Sequence, residues 1–101
     1  MFARINWGKV QAGKWDEFEA ALKDIVAKAG AQPGLKGRML LRDTNDPDAG
    51  FTLSLWETEQ DMKNYESSDT MQKLVLPAIE PFFSGEYQTT FVEVRYSEVD
   101  I

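Results

Sequence analysis

Between residues 51 and 69, FTLSLWETEQDMKNYESSD, the chain changes its hydrophobic period. Phe51, Leu53 and Leu55 alternate with smaller or polar residues at the period of a half-buried strand, and Met62 and Tyr65 then recur at the spacing of one helix face. Only a few residues separate the two regimes, so a strand has to hand over almost directly to a helix. Thr58 followed by Asp61 supplies the start signal, a capping-box arrangement with Asp in place of the usual Glu. Trp56 stands at this junction, where a large aromatic either seals the corner or walls a ligand site.

The same switch of period organises the rest of the chain. Residues 2–11, FARINWGKVQ, read as a first strand. From Trp15 the helical spacing of Phe18, Leu22, Ile25, Val26 and Ala29 predicts a helix, braced outside by Glu19–Lys23 and Asp24–Lys28 and stopped at Gly30. LKGRMLLRD gives a second strand, TNDPDAG a polar turn and FTLSLWE a third strand, which together predict a hairpin. Beyond the helix that begins at Thr58, the segment SSD offers a break. Met71, Leu74, Val75, Ala78, Ile79 and Phe82 then continue a helical pattern that Pro77 and Pro81 must kink or divide. YQTTFVEVRY has strand composition, and 97–101, SEVDI, reads as a tail after one domain over 2–96. The order β-α-β-β-α-β is that of an α+β, ferredoxin-like sandwich. That topology makes the first and third strands neighbours and predicts Asn6 beside Ser54 or Trp56.

Helices in this arrangement cover one face of the sheet, yet the strands carry large apolar groups on both. Phe51, Leu53 and Leu55 oppose Trp56, Tyr87 and Phe91 oppose Val92 and Val94, and Phe2 opposes Ile5 and Trp7. The second face needs a cover, and a two-fold pairing of sheets is the simplest one, so a homodimer is expected.

Composition narrows function by exclusion. The 101 residues contain neither cysteine nor histidine, which removes disulfides, thiol catalysis, the Ser-His-Asp triad and histidine-ligated haem or zinc. A net charge of −6 repels phosphate backbones and anionic bilayers, so neither nucleic acid nor membrane is an expected partner. No apolar run approaches membrane-spanning length, and a cytoplasmic location is expected. Asp43, Asp46 and Asp48 in the polar turn lack the Gly and terminal Glu of a helix-loop-helix calcium loop and read as a solvated hairpin turn, with no metal expected.

The stretches GKWDEF, QPGLKGRMLLRD and TLSLWETEQDMKNYESSD resemble the antibiotic biosynthesis monooxygenase family, whose fold is a dimeric α+β barrel. The resemblance implies three activities to weigh. In the haem-degrading branch an Asn on the first strand and a Trp and a His along the second helix do the work. Asn6 matches the first, but Tyr65 stands where the Trp would be and Val75 near the place of the His, so the iron ligand is missing. Isomerase relatives also lean on a histidine. Cofactor-free monooxygenases need no histidine, because an electron-rich phenolate or carbanion reacts with O2 directly while the protein holds it and stabilises negative charge. The expected activity is therefore oxidation of a small phenolic or quinone-like aromatic without cofactor. A non-catalytic module that binds a small molecule is the rival.

Asn6 is the leading candidate, since an amide in the middle of a central strand must find partners or line a cavity. Tyr65 shares the inner face of the second helix with Met62, so its hydroxyl would meet any space between helix and sheet. These two are the expected catalytic donors. Trp56, Ser54 and Arg38 are the expected substrate contacts, Trp56 as an aromatic wall. Trp7 and Trp15 are assigned to interface and core.

Overall fold

The computed structural model describes residues 1–99; residues 100 and 101, the end of the expected tail, lie outside the described residues. Strand β1 (Phe2–Val10) leads through a short turn to helix α1 (Trp15–Ala29), followed by β2 (Leu35–Arg42), β3 (Ala49–Trp56) and helix α2 (Glu59–Glu66). A π-helical turn (Thr70–Val75), helix α3 (Leu76–Ile79) and a 3-10 turn (Glu80–Phe82) then return the chain to β4 (Phe83–Glu93). Among the described residues these strands make one antiparallel sheet in the order β2-β3-β1-β4. The architecture is α+β and ferredoxin-like.

Local chemistry explains the boundaries. Thr58 Oγ1 accepts from the Asp61 backbone N–H at 3.0 Å and donates to Asp61 Oδ2 at 2.8 Å, so the capping pair starts α2 with only Glu57 and Thr58 between it and β3. Gly30, with φ of 72°, terminates α1, and its N–H bonds the Val26 carbonyl. The two exposed pairs on α1, Lys23–Glu19 and Lys28–Asp24, span 3.0 and 3.1 Å. In the polar turn Asp43 Oδ1 accepts from the Asn45 and Asp46 N–H groups and Asp46 Oδ1 from that of Asp48. These carboxylates brace a hairpin, and the described residues hold no metal-ligand cluster.

The second helical region is divided into short turns, the second of the two forms that Pro77 and Pro81 imply. Leu76 N–H reaches back five residues to the Met71 carbonyl. Pro77 has no N–H to give Lys73, and its ring would crowd that carbonyl, so the wider π spacing in the preceding turn resolves the conflict. Strand β4 also begins at Phe83 and ends at Glu93, where sequence suggests Tyr87 and Tyr96. Pairing of Phe83 with Val10 recruits the Ser84-Gly85-Glu86 segment despite its composition.

Register sets the two faces. On the inner face, beneath the helices, one row across the sheet runs Arg38, Ser54, Arg4, Phe91, the next Leu40, Thr52, Asn6, Thr89, and the third Arg42, Gly50, Gly8, Tyr87. Asn6 therefore stands opposite Thr52, while Ser54 faces Arg4 and Trp56 faces Phe2, which corrects the expected pairing of Asn6 with Ser54 or Trp56. Met39, Leu53 and Ile5 line up on the outer face, followed by Leu41, Phe51 and Trp7. Met39, Leu41 and Phe51 remain 47%, 43% and 38% exposed there, an apolar surface with no helix over it.

The core lies between inner face and helices. Trp15 and Phe18 of α1 meet edge to face at 5.4 Å, and Phe18 packs against Phe83 at 6.0 Å. Trp56 and Met62 are fully buried. Gly50 is required by Trp15: a Cβ at residue 50 would lie 2.5 Å from Trp15 Cη2 and 2.1 Å from the Leu41 carbonyl oxygen.

Candidate functional site

The inner face carries unusually short side chains at its centre. Gly8, Thr52, Ser54 and Thr89 lie around Asn6. The space above them forms an elongated cavity of about 510 Å³. Phe18, Leu22 and Val26 of α1, Met71 and Val75 of the π turn, and Ile79 of α3 supply its apolar walls. Such a volume, mostly apolar with a few convergent polar groups, suits a small organic ligand.

Arg38, Tyr65, Asn6 and Ser54 are among the polar side chains that line the cavity. Arg38 Nη2 donates to Tyr65 Oη at 3.3 Å, and the guanidinium lies 5.6 Å from the centre of the Tyr65 ring. The Tyr65 O–H is thereby left to donate. Burial pushes the phenol of Tyr65 above its ordinary value, with the Arg38 and Arg4 charges opposing and Glu66 reinforcing the rise. Tyr65 is accordingly a protonated donor at neutral pH. Arg4 is held by both carboxylate oxygens of Glu66, a part-buried ion pair at the rim. Arg38, by contrast, is within ion-pair distance of no carboxylate among the described residues and leaves its charge to the cavity.

Asn6 lies in the floor. Its Oδ1 accepts from Thr89 Oγ1 at 2.9 Å, and Nδ2 meets no protein acceptor among the described residues. Ser54 also lines the cavity and accepts from Trp56 Nε1 at 2.9 Å. Asn6, Tyr65, Arg38 and Ser54 thus border one space. Trp56 does not: it is 0% exposed, packed behind Tyr65 with ring centres 5.0 Å apart and planes tilted by 34°, where it fixes the ring and binds Ser54. Its place is as the support of the wall, and Tyr65 is the ring that faces the cavity.

A second cleft of about 620 Å³ lies outside α2, between Phe2, Met62 and Phe91, and shares Glu66 and Gln72 with the inner cavity. It contains neither Asn6 nor Tyr65 and gathers no comparable donor set. Val75, near the place of the haem branch's histidine, does line the inner cavity and offers no ligand atom. Sequence reasoning passed over Thr89 and Gly8. Period-two spacing places Thr89 on the face of Tyr87 and Phe91, but its pairing with Asn6 depends on a strand register that composition does not encode.

A family model described as antibiotic biosynthesis monooxygenase matches residues 1–75. No curated protein sequence matches the chain. Among solved structures, the chain is similar to a Bordetella bronchiseptica protein provisionally named an antibiotic biosynthesis monooxygenase (21% identity, covering 94% of this chain and 97% of that one, TM-score 0.81). A Caulobacter crescentus protein of the same provisional name is 22% identical over 94% of this chain and 90% of its own, with a TM-score of 0.80. SnoaB of Streptomyces nogalater, described as a cofactor-independent oxygenase, is 16% identical over 98% of this chain and 97% of its own, with a TM-score of 0.77. At these identities the structures speak to the fold, and the matched family model speaks to membership. The chain belongs to the antibiotic biosynthesis monooxygenase family.

Proposed function

We propose that this protein is a cofactor-independent monooxygenase that oxidises a small phenolic or quinone-like aromatic with O2. The observation that carries the reading is one cavity in which Asn6, Tyr65 and Arg38 meet apolar walls. Family membership and the description of SnoaB lend it further support.

The chemistry balances without an external reductant. An activated methylene flanked by phenol rings loses a proton to solvent water, and the resulting carbanion passes an electron to O2. Recombination forms a carbon–oxygen bond, the peroxide anion takes a proton back from solvent, and loss of water from the hydroperoxide, with the second methylene hydrogen, leaves a carbonyl. The substrate gives up two hydrogens and supplies all four electrons; one oxygen enters the product and the other leaves in water. The protein has to favour the anion and stabilise the charge that moves onto oxygen. Arg38 supplies a cation near the substrate, and Tyr65 O–H and Asn6 Nδ2 supply donors among apolar walls. Ser54 borders the same space as a contact for a ring substituent.

The working unit in this reading is a cytoplasmic homodimer closed over the outer sheet face, where Met39, Leu41 and Phe51 stand exposed. The test is oxygen uptake with a panel of anthrones and hydroquinones by the native chain and by Asn6→Ala. Uptake that depends on protein and falls in the variant supports the enzyme. Binding of the panel without uptake would make the chain a non-catalytic binding module instead.

A further inference from the structure

We infer that Thr89 and Gly8 prepare Asn6 for its role: Thr89 orients the amide, and Gly8 leaves its N–H groups uncovered. This rests on the reading of Asn6 as a donor to bound ligand. An Asn side chain carries an acceptor and two donors on one flat group, and only its surroundings decide which end faces a site. Here the decision is local. Thr89 lies directly opposite Asn6 on β4, and its hydroxyl donates to Asn6 Oδ1 at 2.9 Å. With the oxygen held at the sheet, the amide nitrogen must point elsewhere, and it lies toward residue 8.

Gly8 is two residues along β1 and so on the same face. A Cβ at Gly8 would sit 3.7 Å from Asn6 Nδ2, in contact with the amide and within the lining of the cavity. A methyl group there fits beside the amide, and a larger side chain covers it. Thr89 is therefore a positioning residue that acts through Asn6, and Gly8 sets how closely a ligand approaches that donor.

The experiment reads the Asn6 side-chain amide in a proton–nitrogen correlation spectrum, its signals identified by their loss in Asn6→Ala. Thr89→Val keeps the shape and removes the donor, and Thr89→Ser keeps the donor. The Asn6 amide signals should keep their positions in Thr89→Ser and shift or broaden in Thr89→Val; Thr89→Ala serves the same purpose if the Val variant does not fold. Added dithranol, a dihydroxylated anthrone, should shift these signals in the native chain and leave them unmoved in Gly8→Val. Turnover of dithranol should fall about tenfold to a hundredfold in Thr89→Val through kcat, with KM little changed, and recover in Thr89→Ser. Unchanged amide signals in Thr89→Val overturn the orienting role, and an undiminished dithranol shift in Gly8→Val overturns the access role. If the native chain neither binds nor oxidises dithranol while the amide responds to Thr89 as described, the functional reading fails and the orienting role stands.

Discussion

Tyr65→Phe separates what this ring does for the fold from what its hydroxyl does for chemistry. The ring is buried, packs against Trp56 at 5.0 Å between ring centres and lies beneath the Arg38 guanidinium, and Phe retains the packing. The substitution deletes one oxygen whose described partner is Arg38 Nη2 at 3.3 Å. Arg38 is only half-buried and can turn to water, so the lost bond destabilises the fold by about 1 kcal/mol or less. Removal of a donor aimed at developing negative charge costs far more in the reaction, about 3 kcal/mol, or a hundredfold or more in kcat. Tyr65→Ala, in contrast, would also empty the volume of the ring and destabilise the fold by about 3–5 kcal/mol. Urea denaturation gives the stability change, and an oxygen electrode with dithranol gives the kinetic one. Tyr65→Phe with kcat within about threefold of native would refute the donor role. A stability loss above about 2 kcal/mol would refute the division between ring and hydroxyl.

The buried phenol also gives a pH signature. Its folded value lies above the ordinary 10.0, so its stabilising contribution is full below pH 10.0 and fades as pH rises from there through the folded value. Thermal midpoints measured across that range should fall more steeply for the native chain than for Tyr65→Phe. Gly50→Ala, whose new Cβ would collide with Trp15 and the Leu41 carbonyl, should lose about 3 kcal/mol or more in urea denaturation. Phe51→Glu places a charge in the middle of the exposed outer face, and if the proposed pairing over this face holds, light scattering should show a dimer for the native chain and a monomer for the variant.

The order of elements was legible because local signals agree with tertiary packing. Helix α1 spans the run from Trp15 to Ala29 that its period and Gly30 imply, and Thr58 starts α2 through the bond its sequence position suggests. Elements defined by partners were less visible. Ser84, Gly85 and Glu86 join β4 because Val10 pairs with Phe83, and the π turn answers to Pro77 through a backbone conflict that hydrophobic spacing does not register. The site divides in the same way. Asn6 stood out as a polar residue where a strand prefers apolar ones, and Tyr65 as a polar tip on a buried helix face. Trp56 was ambiguous because size alone does not say which side of a wall a ring occupies; the structure puts it behind Tyr65. Thr89 and Gly8 carry no anomaly of their own and acquire meaning only from the register that brings them to Asn6.

The fate of oxygen during turnover tests the central claim most directly. Native protein, treated with a metal chelator and supplied with dithranol under isotopically labelled O2, should yield a quinone carrying one labelled oxygen at the former methylene carbon, as read by mass spectrometry. The rate should exceed that without protein and fall in Asn6→Ala. Product formed no faster than in protein-free solution, or a new carbonyl oxygen drawn from water rather than O2, would contradict the account.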